Sequence, residues 1–177
     1  MNHQKTPAVG KYARVERERR FLFAEPPAPA VVTVTRRIDD RYLTGTRLRL
    51  RRVERTDSGA VELKLTQKLP GTPWGLVTNT YLSPEEYRLL ATLPAQVIRK
   101  TRYSVPPLGI DVFEPPLHGL VLAEAEFDTE EEARVFAPPA GCVAEVTADP
   151  RFTGGSLVSA SRAQLRARLA EYGIQIE

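Results

Sequence analysis

Cysteine and histidine are almost missing from this 177-residue sequence. Its one cysteine, Cys142, excludes an intramolecular disulfide and any cysteine-rich zinc site. Its two histidines, His3 and His118, exclude a histidine-built metal cluster. With His3 in a polar N-terminal stretch, a Ser-His-Asp triad has little to draw on. No apolar run approaches the roughly 18 residues that a membrane span needs. The opening stretch carries no apolar segment of secretory type. These absences predict a soluble protein of a reducing, cytoplasmic compartment with no membrane partner. Net charge is also scarce: 25 Lys and Arg against 22 Asp and Glu leave +3. That excess is too mild for a nucleic-acid coat, so no specific nucleic-acid partner is expected.

What is present is alternation. Fifteen prolines and eleven glycines cut the chain into short segments, most with a period of two, the mark of strands with one apolar and one polar face. The pattern predicts strands at 14–23, 31–38, 41–54, 61–68, 75–82, 97–104, 109–113, 120–128 and 143–148. Asp57-Ser58-Gly59 marks a hairpin between two of them. Ser83-Pro84-Glu85-Glu86 opens a helix to about Thr92 that should bury Tyr87, Leu90 and Leu93 or their neighbours. Thr129-Glu130-Glu131-Glu132 opens a second, stopping before Pro138. A third spans 160–172 and ends at Gly173. Many strands without a βαβ rhythm predict an α+β fold with a mostly antiparallel sheet in one domain, 1–177, with 1–13 as a tail.

The charges are sorted by strand face. Arg47, Arg49 and Arg51 share one face, as do Lys64, Thr66 and Lys68, and as do Glu16, Glu18 and Arg20. Lys100 and Arg102 are two apart, and so are Glu124 and Glu126. Residues 36–55 hold eight arginines against three acids, whereas 124–132 hold six acids and no base. A solvated sheet face would intersperse signs. Like charges about 6–7 Å apart repel by roughly 2–3 kcal/mol at an effective dielectric of 20. A barrel with its polar faces inward would turn this cost to use. A cationic wall would take phosphate oxygens, and the carboxylates would take a hard divalent cation. Its apolar faces would lie outside under the helices.

The blocks of the sequence resemble, in order, those of the CYTH superfamily, the triphosphate tunnel metalloenzymes. Glu16-Arg17-Glu18-Arg19-Arg20 resembles the signature ExExK, and Tyr42-Leu43 through Arg51 resembles its YL…LRLR strand. Leu65-Thr66-Gln67-Lys68 resembles T-x-K, Lys100-Thr101-Arg102-Tyr103 resembles K-T-R-Y, and Asp111-Val112-Phe113 resembles D-V-F. Leu120 to Phe127 resembles GL…AExEF, and Glu145-Val146-Thr147-Ala148-Asp149 resembles EVT-x-D. The set covers about 14–158.

The resemblance implies an eight-stranded antiparallel β-barrel forming a tunnel. It implies metal-dependent hydrolysis of a linear triphosphate, inorganic tripolyphosphate or a triphosphorylated organic compound, with Mg²⁺ or Mn²⁺, by a monomer or homodimer. Carried over by motif, Arg20, Arg49, Arg51, Lys68, Lys100 and Arg102 would bind phosphate, with Arg47, Lys64 and Arg37 of suitable parity. Glu16, Glu18, Glu124 and Glu126 would hold metal or position water, and Glu18, Lys68 and Arg20 would carry the catalytic step. Glu145 is equally open as a site carboxylate or a structural partner, and so is Asp111.

Two departures stand out. Arg20 occupies the signature's lysine position, and an arginine does not give up its proton. The strand after T-x-K, 75–82, is uncharged where many bacterial tripolyphosphatases carry R-x-E-x-E, which argues against a second metal site. These departures motivate the alternative of a nucleotide- or polyphosphate-binding module without turnover. An adenylyl cyclase ranks lower, since no adenine pocket is legible. Trp74 is expected as a packing or rim residue, His118 as solvent-facing, and Cys142 as a packed small residue.

Overall fold

The computed structural model describes residues 10–177. The expected tail over 1–13 falls mostly on residues 1–9, outside the described residues. Nine strands make the frame: β1 (Arg14–Phe23), β2 (Val34–Leu43), β3 (Leu48–Arg55), β4 (Val61–Leu69), β5 (Gly75–Tyr81), β6 (Ala95–Val105), β7 (Leu108–Phe113), β8 (Val121–Phe127) and β9 (Ala144–Glu145). Every pairing is antiparallel, in the order β5-β4-β3-β2-β6-β7-β8-β1, and β1 pairs again with β5 to close the ring. The result is an eight-stranded barrel with β9 added on the outer edge of β1. Among the described residues four α-helices accompany it: α1 (Pro84–Leu90), α2 (Glu130–Val135), α3 (Gly154–Leu157) and α4 (Arg162–Ala170).

The capping signals act as read. Ser83 Oγ accepts from the Glu86 backbone at 3.2 Å, and the Glu86 carboxylate accepts from the Ser83 backbone at 2.7 Å. Thr129 and Glu132 do the same for α2. These boxes satisfy amides that the first turn leaves unpaired.

Three expectations change. The division between 31–38 and 41–54 does not exist: β2 runs unbroken from Val34 to Leu43, and the turn lies at Thr44–Arg47. Asp39 and Asp40 look like turn residues but stay in the strand because each meets a cation, Arg99 outside at 2.9 Å and Arg51 inside at 2.6 Å. The last predicted strand, 143–148, shrinks to Ala144–Glu145. Helix α1 buries none of its residues, and Leu89 and Leu93 are exposed. It lies near β4, and Tyr87 and Leu90 are half-buried.

The core is not where the outward-apolar expectation put it. The larger cluster joins Leu22, Ile98, Phe113 and Leu122 to Phe152, Leu157, Leu165 and Leu169. The four strand residues share the face of Arg20, Lys100, Asp111 and Glu124, so the inward face turns from charged to apolar toward one end. There the segment from Phe152 through α3 and α4 packs onto it. A smaller cluster of Phe21, Ile110, Val121 and Ala123 lies on the outer face, covered by Phe136 after α2 and by Cys142.

Candidate functional site

Inside the barrel lies a cavity of about 570 Å³. Twelve residues assigned from sequence to phosphate, metal or catalysis line it, and two further candidates, Arg37 and Glu145, do not. Strand parity explains the convergence, because successive side chains alternate faces. Thus Glu16, Glu18 and Arg20 enter from β1, Arg49 and Arg51 from β3, and Lys64 and Lys68 from β4. Lys100 and Arg102 enter from β6, and Glu124 and Glu126 from β8. Arg47 reaches the cavity from the turn before β3 rather than from a strand.

Arg37 does not belong. It is exposed and absent from the lining, since Ile38, Asp40 and their alternation partners define the inner face of β2. Glu145 is the structural partner: it holds Arg19 on the outer wall at 2.6 Å, while Arg19 also donates to the carbonyls of Ala133 and Phe136. His118 is exposed, and Trp74 is half-buried at the cavity's rim.

The carboxylates divide into two kinds. One oxygen each from Glu16, Glu18 and Glu126 lies within 4.8 Å of the others, a spacing one cation can bridge. Burial, reinforced by the Glu124 carboxylate, pushes the Glu18 carboxyl up to about 7. Crowded, oxygen-only donors of this kind fit a hard divalent cation, whose charge would relieve the repulsion. Glu124 is set apart, with its carboxylate hydrogen-bonded to Arg102. Burial alone would raise its pKa, but Arg102, Lys100 and Lys68 outweigh burial and hold it well below the usual carboxylate range.

The cations are held by partners of their own. Lys68 Nζ lies 2.8 Å from Glu16. Arg20 donates to the Thr147 carbonyl at 2.8 Å and lies 3.9 Å from Glu18. Burial and the nearby Arg51 charge lower the pKa of Lys64.

Two acids hold the cation wall: Asp40, which the sequence does not single out, and Asp111, which it leaves equally open between a site and a structural role. Asp40, 1% exposed, grips Arg51 and lies 3.6 Å from Arg49. Burial works against its charge, but Arg51 outweighs burial and keeps the carboxyl far below its ordinary value. Asp111 is fully buried and holds both Lys100 and Arg102. The sequence signal for Asp40 was its parity with Tyr42, which the misplaced turn obscured. Arg14 shares the parity of Glu16 and also lines the cavity. On the uncharged β5, Asn79 supplies the inward polar group and accepts from Thr66 at 2.7 Å.

No protein-family profile matches the chain. A curated relative does: the inorganic triphosphatase of Nitrosomonas europaea is 33% identical over 159 residues, 80% of this chain and 95% of the relative. Two crystal structures of the protein NE1496 share the fold. The one described as an inorganic triphosphatase has a TM-score of 0.53 at 25% identity, covering 82% of this chain and 95% of that one. The other, described as a hypothetical protein, has a TM-score of 0.54 at 27% identity, covering 82% and 99%. With that identity over nearly the whole relative, and the same ordered strand motifs meeting in one charged barrel, the chain belongs to the CYTH family of triphosphate tunnel proteins.

Proposed function

We propose that this protein hydrolyses a linear triphosphate in its barrel, inorganic tripolyphosphate first among the candidates, with Mg²⁺ or Mn²⁺ held by Glu16, Glu18 and Glu126. The observation that carries this reading is the pairing of that carboxylate group with a wall of cations. Nine Lys and Arg side chains and five carboxylates line the cavity, a formal excess of four positive charges concentrated on one small volume. A short polyanion with its counter-ion matches both halves.

A divalent cation held at the three glutamates would supply charge neutralisation at the phosphoryl oxygens. The chain's own residues do the rest. Arg47, Arg49 and Arg51, their neighbours Lys64 and Lys68 on the adjacent strand β4, and Lys100 and Arg102 on β6 orient the polyphosphate. Lys68 beside Glu16, and Arg20 beside Glu18, bring positive charge to the phosphoryl group next to the carboxylates, where charge develops on transfer. Arg20 acts as a fixed charge, not a base, and its hold on Thr147 keeps it in place. Glu124 belongs with the cation wall, as the acceptor that anchors Arg102.

The test is phosphate release from tripolyphosphate, thiamine triphosphate, ATP and pyrophosphate, each with Mg²⁺, Mn²⁺ and a chelator. Release from a linear triphosphate that the chelator abolishes is expected. Tight binding with no metal-dependent release from any of them overturns the reading in favour of a binding module.

A further inference from the structure

Two buried aspartates grip the same edge of two lumen arginines. Asp40 accepts from Nε and Nη2 of Arg51, both at 2.6 Å. Asp111 accepts from Nε and Nη2 of Arg102 at 2.6 and 2.7 Å, and from Nζ of Lys100. In both cases acid and arginine sit directly opposite each other on adjacent strands, Asp40 facing Arg51 across β2 and β3, and Asp111 facing Arg102 across β7 and β6. The wall β3-β2-β6-β7 therefore alternates cation, acid, cation, acid. Neither Nη1 has a protein acceptor among the described residues, and both arginines line the cavity.

We propose that Asp40 and Asp111 are positioning residues that lock Arg51 and Arg102 by their Nε–Nη2 edges and so aim each Nη1 at a phosphate oxygen of the substrate. The inference rests on the triphosphatase reading of this cavity and names two residues that reading does not use. Asp111 is fully buried behind the cavity, and Asp40, 1% exposed at its wall, has both carboxylate oxygens taken by Arg51. A guanidinium has five N–H donors in a rigid fork, so fixing one edge fixes the direction of the rest. A donor oriented in advance loses little freedom when the anion arrives. The aspartates also offset repulsion within the cation wall, so that it persists before substrate enters.

The decisive experiment is a crystal structure of the wild-type protein with tripolyphosphate and a chelator, which leaves the substrate uncut. Phosphate oxygens within about 3.2 Å of Nη1 of Arg51 and Arg102, with both aspartates still on the opposite edge, are expected. Guanidinium groups that leave their aspartates to meet phosphate overturn the inference while sparing the proposed function. An empty tunnel overturns the inference, while metal-dependent phosphate release still decides the proposed function. Kinetics of Asp40→Asn and Asp111→Asn give an independent reading. A purely structural role lowers the active fraction, and with it the apparent kcat, at unchanged KM. Mis-aimed arginines instead raise KM for tripolyphosphate about tenfold or more. Unchanged KM in both variants counts against the inference, and if either fails to fold the wild-type crystal still decides.

Discussion

Lys68 and Glu16 form a 2.8 Å ion pair although their strands, β4 and β1, do not pair with each other. Strand β5 lies between them, matching Lys68 to Val77 and Val77 to Arg14, so the contact exists only because the barrel closes. It joins a cavity-lining cation to a member of the three-carboxylate group.

The carboxylate group should be indispensable. Glu16→Gln and Glu126→Gln are each expected to lower metal-dependent phosphate release from tripolyphosphate by about 100-fold or more, while leaving the unfolding midpoint near wild type. Activity assays at saturating Mg²⁺ and Mn²⁺, with thermal unfolding as control, check this. Full activity in both variants would refute the assignment.

Asp40 gives stability a defined pH dependence. Arg51 depresses its carboxyl in the fold, so the pair stabilises above the ordinary carboxylate value, near 4, and that contribution is lost as pH falls toward the folded value. Asp40→Asn should therefore cost about 3–5 kcal/mol at pH 7, because it leaves Arg51 buried without its partner. The difference from wild type should shrink below about pH 4. Urea unfolding at pH 7 and pH 3 measures both, and an equal difference at the two pH values contradicts the assignment.

Arg20 is predicted to serve as a charge. Arg20→Lys should retain phosphate release within about tenfold, whereas Arg20→Ala should lose considerably more, since only the lysine keeps a cation near Glu18. Equal losses in the two variants would place its importance in the Thr147 contact instead.

Gly154 faces Tyr42 closely enough that a Cβ there would fall 1.9 Å from the tyrosine hydroxyl. Gly154→Ala should destabilise by about 1–3 kcal/mol, and adding Tyr42→Phe should recover part of that loss. Strictly additive unfolding energies would argue against the contact.

Much of the site was legible because strand parity is a local property. Glu16, Glu18 and Arg20 had to share a face once β1 was a strand, as did Arg49 with Arg51 and Glu124 with Glu126. The two capping boxes were legible for the same reason: donor and acceptor lie three residues apart. Arg37 was misjudged because parity cannot be counted through a turn placed four residues early. Leu22 and Leu122 share the inward parity of Arg20 and Glu124, but nothing local says that residues 152–169 return to cover that end of the barrel and make them core.

The sequence by itself determined which side chains share a face, where helices start, and that the small net charge of +3 is the remainder of two large, separated populations. The tertiary structure alone decided which carboxylates meet as a threesome, which one is taken by Arg102, and that Asp40 and Asp111 grip the cavity-lining arginines Arg51 and Arg102. The reason is range. Alternation and capping act over a few residues of backbone, whereas the partners of Glu16, Arg51 and Arg102 are set by register between strands and by the closure of β1 onto β5.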